Sequence, residues 1–523
     1  MASKSSNCLK YKICHSENLG RYLVSAKNIS AGEVIIREDP VVVGPATFNK
    51  SSLCFSCLRH LSAASKKSHY ICSKCNVAPL CNSFCEDSLG HHTKEECQLL
   101  ESDKEFYSKN IQQITEILMH FRMWLLKVKN SNQWEQINEM EDHSIKRRNT
   151  EIWQEREESV VDVFREMKLI SANDKNAGEL VQKICGILDV NSFELRSPGG
   201  MGESPLRGLY LKTSLIAHEC RGNTHITVDD KFQLTVFASL PIQKGEIIYF
   251  NYTSSLLGSA ERKEHLREGK YFECKCSTCL DPFEGGSHLS SIICPRCRKG
   301  FVTIKNPLTI NHYDKGTNWE CQSCKRNYFG CLIKSTLEIS KSLINNIEID
   351  DIKKMENLLK TLSSTFHTNH FLILNLKQKL LTEYRRELSS PNPQKKTLLK
   401  MFQLCKEVYN VLEIIEPGIS RAKGILLYEM HFPVAILANR AYAANEISSH
   451  DLLLKLQEAE DLLKKSLKML LLEPATTPEG ILTKRALQEL KILSQNIDDV
   501  KSLSLTQSPK NRNLKKRNNF RKH

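Results

Sequence analysis

Between Asn18 and Pro45 apolar and polar residues alternate and β-branched residues crowd together, as in Tyr22-Leu23-Val24, Val34-Ile35-Ile36 and Val41-Val42-Val43. A period of two predicts two or three short strands, with turns at Gly20 and Ala31-Gly32. From Ile111 the period changes. Ile111, Ile114, Leu118, Phe121, Leu125 and Val128 recur every three or four residues, and the pattern runs to about Ile187, which predicts a helical region. From Thr336 to Leu493 helical spacing returns, carried by Leu358-Leu359, Leu362, Leu372 to Leu376, Leu380, Leu452 to Leu456, Leu462-Leu463, Leu467 and Leu470 to Leu472. No clean repeat can be read directly in this stretch. From Ser504 onward the chain is polar and basic, and disorder is expected there.

Composition changes the picture in two ways. At 523 residues and 40% hydrophobic content the chain can bury several separate cores. No apolar run reaches the eighteen or so residues of a membrane span, and Met1 to Ser6 lead into no signal-peptide core, so a soluble intracellular protein is expected. The formal charge of +14 is uneven, since seven lysines and arginines without any acid fall after Lys510 inclusive. A nuclear signal, a nucleic-acid contact or merely a solvated end are therefore readings of the tail alone.

The cysteines carry the strongest chemical signal. Of twenty, fifteen fall into metal-ligand spacings. Cys54-x-x-Cys57, Cys72-x-x-Cys75 and Cys81-x-x-x-Cys85, followed by His92 and Cys97, supply eight ligands for two Zn²⁺; His91 is the competing histidine. A lone Cys220 followed some fifty residues later by Cys274-x-Cys276-x-x-Cys279 supplies four more, and would staple a His218-Glu219-Cys220 turn to a distant segment. Cys294-x-x-Cys297 and Cys321-x-x-Cys324 read as a zinc ribbon with a small β core. Four Zn²⁺ per chain are expected.

The order of these parts resembles the SET and MYND domain-containing family, with a C-terminal zinc module similar to the arthropod SmydA branch. The resemblance rests on the paired cysteines of residues 54–97, on His218-Glu219-Cys220-Arg221-Gly222-Asn223, on Gly245-Glu246-Ile247-Ile248-Tyr249-Phe250-Asn251-Tyr252, and on Phe272-Glu273-Cys274-Lys275-Cys276. It implies an α+β fold: SET N-terminal strands (1–50), a MYND zinc finger (51–100), a helical insert (101–186), the SET core (187–255), a post-SET zinc segment (256–285), a ribbon-like module (286–335), an all-α tetratricopeptide-like domain (336–503) and the tail (504–523). The run Ile184 to Glu194 matches the strand and Asn-x-Phe that open the SET core. In the finger the resemblance implies interleaved ligands, Cys54, Cys57, Cys81 and Cys85 on one ion and Cys72, Cys75, His92 and Cys97 on the other.

The resemblance also implies the activity, protein-lysine methylation from S-adenosylmethionine, with Tyr252 as the catalytic residue. Arg21, His143, Asn191, His218, Asn223 and Phe272 are the implied cofactor contacts. In-line methyl transfer asks mainly for alignment of donor and amine, so position outweighs reactivity. Histone or other proteins are the implied substrates, a proline-rich segment is the implied partner of the finger, and nucleus and cytoplasm are the implied compartments. The chain departs from the family pattern at Ala217, where the family has Asn, and at Lys270, where many members carry a second channel tyrosine. The competing reading is a non-catalytic adaptor that recruits partners through its finger and helical region.

Overall fold

The computed structural model describes residues 9–46, 52–61, 70–87, 90–129, 131–199, 205–348, 351–388 and 392–506, with side chains to 502. The first part of the chain folds as small sheets assembled from distant segments. Tyr11–Ser16 and Gly20–Ser25 form an antiparallel hairpin. Val34–Glu38 pairs with Leu234–Ala238, which pairs with Thr224–Val228. Val42–Pro45 and Phe193–Leu195 flank Leu206–Leu209. Residues almost two hundred positions apart thus share one core, in which Leu23, Ile36, Val43, Leu206, Leu234 and Val236 are buried.

Between the sheet halves lie the finger and the helices. Leu118–Val128 buries most of its residues, and the Gly44 backbone comes so close to it that a Cβ there would stand 2.7 Å from Met119 Cβ. Only a glycine permits that approach.

One expectation is corrected here. Ile184 to Asn191 is not a strand but the C-terminal half of the helix Lys175–Asn191, and the strand is confined to Phe193–Leu195. Val181, Ile184, Cys185, Ile187 and Leu188 are all buried on this helix, and Asp174 caps its start by accepting the Ala177 amide at 3.0 Å. A continuous apolar run fits either period, and packing against Leu118–Val128 decided it.

Beyond residue 286 an antiparallel four-stranded sheet (Ile292–Ile293, Phe301–Ile304, Asn318–Cys321, Asn327–Phe329) carries the ribbon. Seven helices follow among the described residues, from Gly330–Asn345 to Pro478–Thr506, and from Ile352 onward each packs on the next in order. The last helix runs through Thr506, so the start of the expected tail is helical; residues 507–523 lie outside the described residues. No helix among the described residues is long and apolar enough to cross a membrane.

This helical unit is tied back onto the sheets. Arg196 grips Glu479 with both guanidinium nitrogens at 2.6 and 2.9 Å. Glu473 accepts from His225 Nε2 at 2.7 Å and Arg421 Nε at 2.9 Å. The Ile419 amide donates to the Ser239 carbonyl at 2.9 Å.

Candidate active site and metal centres

Four sets of side chains converge among the described residues: Cys54, Cys57, Cys81, Cys85; Cys72, Cys75, His92, Cys97; Cys220, Cys274, Cys276, Cys279; and Cys294, Cys297, Cys321, Cys324. Within each set the four ligand atoms lie within 4.8 Å of one another. Each is the four-coordinate nitrogen and sulfur set that Zn²⁺ takes, with no open position. The side chains of the finger's two sets interleave along the sequence. His92 joins its set, while His91 packs its ring on Phe232 with centroids 5.4 Å apart.

Sequence reasoning missed the groups that orient these ligands. His92 Nδ1 lies 2.6 Å from Glu96 Oε1, and Glu96 in turn accepts from Arg122 Nε at 2.7 Å. Arg122 also donates to the carbonyls of Val43 and Phe55, which fastens the finger to the sheet. A carboxylate on the far ring nitrogen fixes the tautomer that leaves Nε2 free for a metal. The i,i+4 spacing of His92 and Glu96 was the available signal. Beside the third set, buried Arg262 stands 3.9 Å from Cys279 Sγ and 3.3 Å from Glu284 Oε1. Four thiolates around a divalent ion carry two net negative charges, and a buried guanidinium offsets part of that.

The turn His218 to Asn223 crosses the segment Ile247 to Tyr252. Ala217–His218 runs parallel to Tyr249–Phe250. Asn223 Oδ1 accepts the Tyr249 amide at 2.8 Å, and its Nδ2 donates to the Ile247 carbonyl at 2.9 Å. Asn223 therefore closes the crossing, and it is not among the residues lining the cavity described next. Gly222 allows the approach, since a Cβ there would sit 3.1 Å from Tyr249 O and Asn251 N.

A cavity of about 1500 Å³ opens where the sheets, the helical insert, the third cysteine set and the helical unit meet. Arg21, His143, Asn191, His218, Tyr252 and Phe272 all line it, although they come from six separate segments. Ala217 and Lys270 line it as well. Arg421, Glu473 and Glu479 form the wall contributed by the helical unit, an element the leucine pattern left without a specific contact.

Each expected residue has a definite setting. Arg21 pairs with Glu139, Nη1 to Oε2 at 2.8 Å and Nη2 to the carbonyl at 2.8 Å. His143 adopts a left-handed backbone, φ 50°, and its ring lies 4.9 Å from that of Tyr271; burial lowers its pKa. Asn191 Nδ2 donates to the carbonyls of Glu141 and Ile187 at 2.9 and 2.8 Å, joining insert to core. His218 accepts the Tyr252 amide on Nδ1, and its ring lies 5.1 Å from Tyr252 and 5.8 Å from Phe272. The Tyr252 hydroxyl donates to the Ile216 carbonyl, and burial raises its pKa, so it stays a phenol. Phe272 is 37% exposed and stands at the mouth. Tyr249 is not among the residues lining this cavity.

One cluster had no sequence signal. Asp189 accepts from Arg147 at 3.1 Å and from Arg156 at 3.0 and 3.1 Å, with Arg207 at 3.7 Å. A single carboxylate thus gathers three guanidinium groups beside the cavity, whose lining includes Asp189 and Arg207, from segments whose charges look unrelated along the chain.

A family model described as SET domain matches residues 20–253. The chain is 25% identical over 385 residues to the SET domain-containing protein SmydA-8, isoform A, of Drosophila melanogaster, covering 69% of this chain and 76% of that protein. It is 25% identical over 374 residues to a SET and MYND domain-containing protein of Dictyostelium discoideum, covering 59% of this chain and 94% of that protein. It is also 25% identical over 268 residues to the histone-lysine N-methyltransferase SMYD3 of Homo sapiens, covering 50% of this chain and 61% of that protein.

Proposed function

The chain carries a SET domain and is similar over most of its length to SET and MYND domain-containing proteins, and on that premise we propose that it is a protein-lysine N-methyltransferase using S-adenosylmethionine. One observation carries the proposal: Arg21, His143, Asn191, His218, Tyr252 and Phe272 meet on the wall of a single cavity. The residues present fit the cofactor. Arg21 offers a fork for a carboxylate once it leaves Glu139, Phe272 offers an aromatic face for a purine, and the small Ala217 leaves room beside His218. Bound there, S-adenosylmethionine supplies an electrophilic methyl group on a positively charged sulfur.

The work of the chain is alignment. Tyr252, a phenol held by Ile216, would orient the incoming amine, and His218 would fix Tyr252 through its backbone amide. Asn223 would act one step removed, by holding the crossing rigid. The acceptor is a lysine of a histone or another protein, reached from the side walled by Arg421, Glu473 and Glu479. The four cysteine and histidine sets would each hold one Zn²⁺. The finger, with closed coordination, would dock a proline-rich partner and perform no chemistry. Nuclear and cytoplasmic residence, with a role in transcription, completes the proposal. The adaptor reading draws on Ala217 and on the Lys270 ammonium beside Tyr252.

Calorimetric titration with S-adenosylmethionine and methyl incorporation into histones test it together. Binding that survives Tyr252→Phe while incorporation disappears is the expected result. Absence of binding at millimolar cofactor would leave the adaptor.

A further inference from the structure

Lys270 is the last residue of the helix Ser259–Lys270, and its side chain enters the cavity. Its Nζ donates to the Val190 carbonyl and lies 3.5 Å from the Asp189 carbonyl. It also stands 6.0 Å from the centroid of the Tyr252 ring. The two carbonyls belong to the last turn of Lys175–Asn191, where unpaired C=O groups attract donors. A lysine serving only as a cap for that helix end would have no reason to lie against the tyrosine of the active site. Burial, and next the charge of Arg207, lower the Lys270 pKa to about 8, against the opposing pull of Asp189 and Glu194. Near neutral pH a useful fraction of the side chain is therefore an uncharged amine. Such an amine has two N–H groups, matching the two carbonyls, and one lone pair left to face the cavity.

Resting on the methyltransferase reading of this cavity, we propose that Lys270 is a methyl acceptor of its own active site. The Nζ lone pair forms the new N–C bond to the methyl carbon of the sulfonium donor. The S–C bond breaks, its electron pair stays on sulfur as a neutral thioether, and the positive charge moves to the methylated nitrogen, the Lys270 ammonium having given its third proton to cavity water before the attack. A protonated monomethyl-lysine keeps two N–H groups for Val190 and Asp189, whereas a dimethyl-lysine keeps one. One methyl group is the expected product. The modified side chain stays where an external lysine must arrive, so self-methylation would tune access for other substrates.

The test uses the purified full-length chain with S-adenosylmethionine deuterated in the methyl group, followed by peptide mapping. The expected label is a single methyl on Lys270. Its rate should be independent of protein concentration, should rise with pH up to and level off above about 8, and should vanish in Tyr252→Phe. A second readout needs no turnover: S-adenosylhomocysteine should shield Lys270 from acetylation by acetic anhydride, and Lys270→Arg should still bind S-adenosylhomocysteine in the calorimeter. Label on added histones with none on Lys270, or a rate that scales with protein concentration, would overturn the inference and leave the methyltransferase intact. Failure of the wild-type chain to bind S-adenosylhomocysteine would overturn both.

Discussion

The Tyr252 amide donates to His218 Nδ1 at 3.0 Å, and that bond couples the candidate catalytic residue to a metal set. An amide can only donate, so Nδ1 is the acceptor and the ring proton sits on Nε2. Nε2 lies 3.5 Å from Cys220 Sγ, one of the four thiols of the third set. The chain of contact from sulfur to imidazole to the Tyr252 backbone means that a metal held by this set would position Tyr252 without touching it.

Losing a ligand of that set should therefore silence the site. Cys276→Ser is expected to lower bound zinc from four to three per chain and to lower methyl transfer in parallel, measured by metal analysis beside incorporation. Tyr252→Phe is expected to abolish detectable methyl incorporation, a loss of more than about 10²-fold in rate, the scale of a lost alignment, with four zinc ions retained. Full activity in a three-zinc Cys276→Ser protein would break the coupling.

Ala217 gives a gain-of-function prediction. It is buried in the cavity wall next to His218, where an asparagine amide could reach the donor. One added hydrogen bond contributes on the order of 1 kcal/mol, close to a fivefold change in affinity. Ala217→Asn should tighten S-adenosylmethionine binding by about that factor in calorimetry. Unchanged or weaker binding would mean that the position does not face the cofactor.

What the sequence made legible follows from how local each signal is. Closely spaced cysteine pairs declare metal ligands within one turn of chain, so the candidate ligands could be named before any contact was known, while the interleaved division of the finger's eight was implied by the family resemblance. Tyr252 and His218 were found through motifs a few residues long. Asp189 and its three arginines could not be, because Arg147, Arg156 and Arg207 come from different elements and nothing in their neighbours marks a shared partner. The error at Ile184 to Asn191 has the same root, since an unbroken apolar run leaves the choice of period to its packing partner. Lys270 was visible as an anomaly, but its two carbonyl acceptors lie some eighty residues upstream.

Glu96 sets a prediction for the finger. It is fully buried, accepts from Arg122 and orients His92. Glu96→Gln leaves Arg122 without its counter-ion in a buried place, a loss of about 3 to 5 kcal/mol, and removes the charge that holds the His92 tautomer. Zinc affinity of that site is expected to fall about 10- to 100-fold. Chelator competition followed by metal analysis should show one ion leaving first, and simultaneous loss of all four would contradict the assignment.

The clamp between sheets and helical unit should open with acid. Glu473 has a side chain only 1% exposed and holds both His225 and Arg421. Burial alone would raise its pKa, but the hydrogen bond from His225 and the Arg421 charge outweigh burial and the net direction is down. Glu479, gripped by Arg196, is likewise lowered against its burial. For a carboxylate depressed in the folded state, the unfolded chain binds the proton more readily. The stabilisation is then complete above the ordinary carboxylate value near about 4.3 and disappears as pH falls through the lower folded value. Small-angle scattering should accordingly show a constant radius of gyration from pH 7 to pH 5 and expansion only at more acidic pH. Glu473→Gln should show the expanded form already at pH 7, or a melting temperature lowered by the loss of about 1 to 3 kcal/mol. A variant as compact and as stable as the parent at pH 7 would show that the carboxylate does not hold the helical wall against the cavity.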